Sequence, residues 1–173
     1  EMPADTDPSP PDPVAAMPWN AVMMPTTVPS SPTNGAVAPM VAIPTTSGTG
    51  SEVSRGGVII MDSGRKLAIG SPYLIPRLAL IDPELTMSLP PHLTAGTGMD
   101  ALTHNIESYL SPAYHPLCDG IALEGLRIGA RALAKAVHEP GNLEARADMM
   151  MSSMMGAIAF QKDLGSVHAC AHA

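Results

Sequence analysis

Residues 90–112 read PPHLTAGTGMDALTHNIESYLSP, and this stretch decides how the second half of the chain folds. A proline pair opens it, and no further proline occurs before Pro112. Proline is tolerated in the first turn of a helix, and it commonly follows just beyond the last turn. The stretch therefore predicts one long helix over residues 92–110.

The chain after this helix continues in the same way. Apolar side chains near helical spacing predict a second helix over residues 117–137, which ends before Pro140. Asn142 is a plausible N-cap for a third helix through residue 159, with Glu144 favourably placed in its first turn. A last helical segment begins near Ser166. Residues 90–173 are thus predicted to be all helical.

The stretch before Pro90 has a different sequence pattern, in which short apolar runs are separated by turn residues. Residues 40–43 predict a short, buried strand that ends at Pro44. Residues 58–61 and 66–69 predict a hairpin whose turn is Asp-Ser-Gly at 62–64. Residues 78–81 predict one more strand, which Asp82 and Pro83 stop. Residues 36–89 are thus predicted to be strand and loop.

The first 35 residues are rich in proline and show no apolar periodicity. Each proline removes a backbone donor and biases its predecessor towards extended geometry, so neither a helix nor a central strand can propagate. We expect three parts: a disordered leader (1–35), a strand and loop region (36–89) and a helical region (90–173). The predicted fold class is α/β followed by all-α.

The overall composition excludes several classes of protein. Of the 173 residues 45% are hydrophobic, and the formal net charge is −7, which argues against a general nucleic-acid binder. No apolar run is long enough for a membrane-spanning helix, and residues 1–40 lack the basic residues of a targeting peptide. Cys118 and Cys170 cannot form a disulfide framework and are predicted to be small buried residues. These features predict a cytoplasmic protein.

A loop of glycines and hydroxyl side chains follows the first predicted strand, at residues 45–52 (TTSGTGSE). Gly48 and Gly50 would let backbone N–H groups approach an anion, which suits a phosphate or pyrophosphate. The loop has neither the lysine of a P-loop nor the spacing of a dinucleotide fingerprint. On the sequence of this loop alone, a plain surface turn rich in threonine and glycine is the favoured interpretation, and an anion-binding loop is the alternative.

Carboxylate and imidazole groups recur at helical spacing. Asp100 and His104 are four residues apart and project from one helix face, and His168 and His172 repeat that spacing in the last segment. One carboxylate with two or three imidazoles is a coordination set for Fe(II), Zn(II) or a similar ion. The spacing alone is equally compatible with ordinary polar pairs on helix surfaces.

Several separated motifs together resemble the iron-containing (group III) alcohol dehydrogenases. They occur in the same order and at similar spacing over about residues 38 to 173. They are VAIPTTSGTGSEV (41–53), IDP (81–83), GTGMDALTHNIES (96–108) and GSVHACAH (165–172). The resemblance implies the remnant of a Rossmann-like nucleotide-binding domain, followed by the start of a helical metal-binding domain.

The resemblance also implies an activity and its residues. It implies an NAD- or NADP-dependent alcohol dehydrogenase or aldehyde reductase, with Fe(II) or Zn(II) stabilising the alkoxide form of a small alcohol that gives hydride to nicotinamide. Asp100, His104 and His168 would be the metal ligands. The dinucleotide site would be lined by Thr45, Thr46, Ser54, Lys66 and Leu85. His172 would lie beside the nicotinamide as the catalytic residue.

Two parts of the family pattern are missing from this sequence. The N-terminal dinucleotide-binding half with its Gly-Gly-Gly-Ser turn is absent, and the chain stops before the Pro-His-Gly motif that supplies the last metal ligand. The chain is then a truncated gene product, a partial sequence, or a subdomain that needs a complementary chain. We expect the isolated chain to be weak or inactive, with a homo-oligomer or a complementary chain as its possible partner. The alternative is a non-catalytic remnant that at most binds metal or a partner. A metal-dependent hydrolase with His172 as base would leave the 45–52 loop without a role.

Overall fold

The computed structural model describes residues 39–171, and this part of the chain begins with strands and ends with helices. In chain order the elements are β1 (Val41–Ala42), β2 (Gly56–Ile60), β3 (Lys66–Gly70), β4 (Leu78–Ala79), α1 (Pro91–Leu110), α2 (Pro116–His138), α3 (Leu143–Ala159) and α4 (Ser166–Ala171). The predicted sequence of an α/β start and a helical remainder is confirmed. The leader predicted for residues 1–35 lies outside the described residues.

The helix boundaries agree with the predicted ones to within one residue, and at the starts of α2 and α3 a side chain accepts from a free backbone N–H group. His115 Nδ1 accepts from the backbone N–H of Cys118 at the start of α2. Asn142 Oδ1 accepts from the backbone N–H of Ala145 at 3.0 Å, as an N-cap residue does. No helix within residues 39–171 has the length and apolar character needed to cross a bilayer.

The Asn142 cap predicts a measurable stability effect. Asn142→Ala removes the acceptor for Ala145, and we expect it to lower the free energy of unfolding by about 1 kcal/mol. Asn142→Ser keeps a capping oxygen and should retain most of the stability. Urea unfolding of both variants is the measurement, and a serine variant as unstable as the alanine variant would contradict the cap.

The four strands form two separate pairs. The strands β2 and β3 are antiparallel, with a register that runs from Gly56 opposite Gly70 to Ile60 opposite Lys66. The predicted hairpin is therefore confirmed, although β2 begins two residues earlier than predicted, because two glycines join the ladder. The strands β1 and β4 are parallel, with Val41 opposite Leu78.

The prediction that residues 40–43 are buried is wrong. The side chains of Val41 and Ile43 are 56% and 50% exposed. Parallel strands are normally covered on both faces. Within residues 39–171, however, β1 pairs with β4 alone, and each has only two residues.

The core lies between α1, α2 and α3, where small side chains let the helices approach closely. Its fully buried apolar members are mostly alanine: Ala101, Ala122, Ala132, Ala136, Ala145, Met149, Met150, Ala157 and Ala159, with Cys118. Two polar side chains join the helices. Asn105 Nδ2 donates to the carbonyls of Ala101 and Ser152, and Ser152 Oγ donates to the carbonyl of Gly125.

Two buried cations fix the connections around this core. Arg146, 2% exposed, donates from α3 to the carbonyl of Thr86 at 2.8 Å and to Thr94 Oγ1 at 3.1 Å. Lys162, 5% exposed, lies in the link between α3 and α4. Its Nζ donates to the carbonyls of Ser108 and Ser111 and to Asp119 Oδ1. Lys162 therefore fixes the link that leads into α4.

Candidate metal and cofactor site

Two helices supply the three side chains of the candidate metal site. Asp100 and His104 lie one turn apart on α1, and His168 lies on the short helix α4. His104 and His168 are buried, whereas the Asp100 side chain is 37% exposed. The site therefore has two buried imidazoles and one carboxylate that reaches solvent.

The three donor groups face one another. Asp100 Oδ1 lies 3.7 Å from His104 Nε2 and 3.4 Å from His168 Nε2. One ligand atom from each residue can be chosen so that all three lie within 4.8 Å of one another. The two imidazole rings are stacked, with centroids 4.5 Å apart and an interplanar angle of 17°. The structure thus brings together the three residues that the sequence names as metal ligands.

These distances suit a shared cation. Both oxygen-to-nitrogen separations are longer than an ordinary hydrogen bond. Two donors each about 2.1 Å from one ion at a tetrahedral angle lie about 3.4 Å apart. Two imidazoles with one carboxylate form a donor set typical of Fe(II) and Zn(II). The residues present therefore fit a divalent metal.

The His104 ring is kept in the state that binds a cation. Burial lowers the pKa of His104 below its ordinary value. The charge of His168 lowers it further, while Asp100, the backbone of Gly48 and Glu107 act in the opposite direction. Among the described residues, no partner makes a hydrogen bond of normal geometry to the buried His104 Nδ1. A lowered pKa favours the neutral imidazole, which is the form that binds metals.

Glu107 is a site residue that sequence reasoning missed. It is buried on α1, Oε2 hydrogen-bonds to His168 Nδ1, and Oε1 accepts from the backbone N–H of Val167 at 2.7 Å. The available signal was its position, three residues after His104 and seven after Asp100, which places it on the same helix face. Glu107 thus lies on the face of α1 that carries Asp100 and His104, and it connects this face to the start of α4.

The loop of glycines and hydroxyl groups lies against the helices rather than in solvent. Gly50 has φ +60° and contacts α3, where a Cβ built on it would lie 2.7 Å from the carbonyl oxygen of Ser153. A Cβ built on Gly48 would lie 3.0 Å from Thr97 Cβ on α1. The glycines therefore allow the loop to pack on α1 and α3, close to the donors of the metal site.

One open cavity of about 780 Å³ joins the loop to the metal site. Its lining contains residues of the loop, the hairpin, α1, the link after α3 and α4. They are Thr49, Ser51, Ser54, Gly56, Gly57, Val58, Ala68, Ile69, Asp100, His104, Phe160, Leu164, Gly165, His168 and Ala169. Hydroxyl groups and the donor set thus face the same space, with apolar side chains on the hairpin and beside His104.

The other residues named from the sequence lie at different places. Ser54 is buried and lines the cavity. Thr45 is exposed and Thr46 half-buried before the loop turns, and neither belongs to the described lining. Lys66 and Leu85 are exposed outside the described lining, at the start of β3 and in the 3₁₀ turn Pro83–Thr86.

Two predictions concern the end of the chain. His172 lies outside the described residues, so its position beside a nicotinamide stays a prediction. The prediction that Cys170 is buried is wrong, because its side chain is exposed. Side chains two positions apart on a helix differ by about 200° in direction. Because His168 points inward, Cys170 points away from the core.

Comparisons with known proteins agree on one family. The family model described as "Iron-containing alcohol dehydrogenase" matches residues 14–83, and the model "Fe-containing alcohol dehydrogenase family, C-terminal" matches residues 94–173. Together they match most of the chain. The first match begins inside the predicted leader, earlier than the motifs at residues 41–53 indicate. The predicted domain boundaries stay a prediction.

Individual relatives are similar over a part of their length. The chain is 55% identical over 135 residues to 4-hydroxybutyrate dehydrogenase of Cupriavidus necator, covering 78% of this chain and 35% of the relative. Among solved structures it is similar to sulfoacetaldehyde reductase from Bifidobacterium kashiwanohense in complex with NAD+, with a TM-score of 0.73 and 42% identity over 76% of this chain and 36% of that one.

A second solved structure, a 1,3-propanediol oxidoreductase, has a TM-score of 0.76 and 41% identity over 81% of this chain and 37% of that one. The chain thus spans about a third of the length of the relatives it matches. The described fold, the three convergent donors and the two family matches lead to the same conclusion. The chain belongs to the iron-containing alcohol dehydrogenase family.

Proposed function

We propose that this chain contributes the metal site and one wall of the cofactor cleft to an NAD(P)-dependent, metal-dependent alcohol dehydrogenase or aldehyde reductase. The observation that carries the proposal is the shared cavity. The hydroxyl groups of Thr49, Ser51 and Ser54 and the donor set of Asp100, His104 and His168 open into one space of about 780 Å³. A cofactor and a metal-held substrate have to meet in this way for hydride transfer.

Asp100, His104 and His168 are the proposed ligands of Fe(II) or Zn(II). When bound, such an ion supplies Lewis-acid polarisation of an alcohol or carbonyl oxygen. The protein contributes alignment, because both imidazoles are buried and packed: His104 stacks on His168 and lies 4.8 Å from Phe160 between ring centroids. The half-exposed Asp100 leaves the cavity side of the site accessible to a small substrate.

The proposed cofactor residues are those that the family resemblance names. Ser54 has the best structural support, since it is buried and lines the cavity. Thr45 and Thr46 precede the loop, while Lys66 and Leu85 lie farther along the chain, and all four are proposed as contacts of NAD or NADP. His172 is proposed as the catalytic residue beside the nicotinamide. The NAD+ complex of the sulfoacetaldehyde reductase supports NAD as the cofactor.

Apolar side chains form part of the cavity lining. Val58 and Ile69 of the hairpin and Phe160 and Leu164 beside the donor set belong to its lining. Apolar walls displace water and strengthen the electrostatic interactions of a charged site. A small alcohol or aldehyde is therefore the proposed substrate, and 4-hydroxybutyrate is the first compound to test, given the similar dehydrogenase of Cupriavidus necator.

The proposal extends to partners and location. The exposed side chains of Val41 and Leu78 on the parallel strand pair, and of Ile43 next to it, support a second copy or a complementary chain as the partner of this region. Cys118 and Cys170 are both free thiols, which supports a cytoplasmic location.

A segment exchange tests the proposed function. The 135 matched residues of the Cupriavidus necator dehydrogenase are replaced by those of this chain, and reduction of NAD+ or NADP+ by 4-hydroxybutyrate is followed at 340 nm. We expect metal-dependent turnover that Asp100→Ala abolishes, because the carboxylate donor comes from the exchanged segment. Asp62→Ala, in the hairpin turn, is the matched control.

One outcome of this segment exchange would contradict the proposed function. A folded chimera that binds the cofactor and shows no metal-dependent turnover contradicts the proposal. That result favours the alternative, a non-catalytic remnant that binds metal or a partner.

A further inference from the structure

Glu107 is a buried carboxylate that faces α4 instead of solvent. It lies on α1 with 7% of its surface exposed, three residues after His104. A carboxylate is seldom buried unless it is paired or hydrogen-bonded. Its contacts therefore show what it does in the fold.

The side-chain hydrogen bonds of Glu107 reach the start of α4. Oε2 hydrogen-bonds to His168 Nδ1, and Oε1 accepts from the backbone N–H of Val167 at 2.7 Å. The backbone of Gly165 gives a further hydrogen bond. A Cβ built on Gly165 would lie 2.6 Å from Oε1, so a glycine at this position allows the close approach. Glu107 thus ties the first turn of α4 to α1.

Glu107 meets His168 through its carboxylate oxygens. Oε1 accepts from the backbone N–H of Val167, and Oε2 faces the ring nitrogen Nδ1 of His168. A carboxylate offers only acceptor oxygens, whereas an imidazole nitrogen can carry a proton. The geometry therefore makes His168 Nδ1 the donor in their hydrogen bond.

The position of this proton decides which nitrogen of His168 carries a lone pair. With the proton on Nδ1, the neutral ring has its lone pair on Nε2, the atom that lies 3.4 Å from Asp100 Oδ1. A carboxylate behind a metal-binding histidine commonly fixes the tautomer and the ring orientation in this way.

We propose that Glu107 is a positioning residue, which holds His168 in the Nδ1–H tautomer and aims Nε2 at the space shared with Asp100 and His104. This inference rests on the proposed function, because the metal site gives the orientation its purpose. Glu107 acts through His168 and does not touch the cavity itself, since it is absent from the described lining.

The first test uses the metal-free chain. Long-range ¹H–¹⁵N correlation spectra of the imidazole rings distinguish the two tautomers, and His168→Phe assigns the His168 signals. We expect the Nδ1–H tautomer for His168 in the wild-type chain and a redistribution towards Nε2–H in Glu107→Gln. The Nε2–H tautomer in the wild-type chain overturns the proposal, whether or not the variant folds.

The second test measures Zn(II) binding by calorimetry. Glu107→Gln is expected to weaken Zn(II) binding by about 10- to 100-fold, the usual effect of losing a group behind a ligand. Glu124→Gln on α2, which changes a side chain that is 46% exposed, is the matched control and should bind as the wild type does. A Glu107→Gln variant that matches the control in both tautomer and affinity overturns the proposal.

The two tests separate this inference from the proposed function. Absence of Zn(II) binding by the wild-type chain counts against the metal site and hence against the proposed function. The tautomer of His168 in the metal-free chain still decides whether Glu107 positions the ring.

Discussion

Replacing Asp100 and His104 together by alanine is expected to lower the affinity of the chain for Zn(II) by about 100-fold or more. The double change removes the carboxylate and one of the two imidazoles that face one another. Loss of a group behind a ligand already weakens binding by about 10- to 100-fold, so loss of two ligands has a larger effect. Calorimetric titration with Zn(II), and with Fe(II) under anaerobic conditions, is the measurement.

Two further variants make this result interpretable. Asp62→Ala with His92→Ala removes the same two chemical groups from exposed positions and should leave Zn(II) binding unchanged. Asp100→Asn alone changes a side chain that is 37% exposed, so the fold should tolerate it while binding weakens. Identical metal uptake by the wild type and the Asp100/His104 double variant would exclude these residues as ligands.

Gly50→Ala is expected to have the largest effect on stability, about 2 to 4 kcal/mol in the free energy of unfolding. Gly50 has φ +60°, a conformation in which alanine costs about 1 to 2 kcal/mol. A Cβ there also overlaps Ala157 Cβ and lies 2.7 Å from the Ser153 carbonyl oxygen, and such overpacking costs about 1 to 3 kcal/mol. Urea unfolding gives the free energy of unfolding for each variant.

Gly64→Ala separates the two contributions. Gly64 also has a positive φ, +79°, but a Cβ there has no described neighbour within 4 Å. Its substitution should therefore cost about 1 to 2 kcal/mol, from the backbone alone. If Gly50→Ala is no more destabilising than Gly64→Ala, the 45–52 loop does not pack on α3 as described.

The helical half of the fold could be predicted from the sequence because its signals are local. Pro91 and Ser111 bracket α1, and Asn142 caps α3 through its own neighbour Ala145. Such signals act within a few residues, so they need no knowledge of what the helix packs against.

The strands were harder to predict from the sequence, because the pairing and burial of a strand depend on residues that are distant along the chain. Glycine is unfavourable in strands, and yet Gly56 and Gly57 extend β2 because Gly70 and Ile69 lie opposite them. The exposure of Val41 likewise depends on what covers the β1 and β4 pair, which residues 40–43 cannot reveal. Apolar composition predicts a strand better than it predicts burial.

The candidate site also contains residues that the sequence reveals and residues that it does not. Helical spacing places Asp100 and His104 on one face, and the family resemblance adds His168. Neither signal indicates that Glu107 lies behind His168, since the contact joins residues 61 positions apart. From the sequence alone, Lys162 would also be predicted to lie on the surface. It is instead buried, and it hydrogen-bonds to residues 43 to 54 positions away.

Anomalous diffraction from crystals of the chain grown with Zn(II) tests most directly whether the carboxylate and the two imidazoles share one cation. The account predicts one peak at the zinc edge, about 2.0 to 2.2 Å from Asp100, His104 Nε2 and His168 Nε2. A peak bound elsewhere, or one that contacts Asp100 without either imidazole, would contradict it.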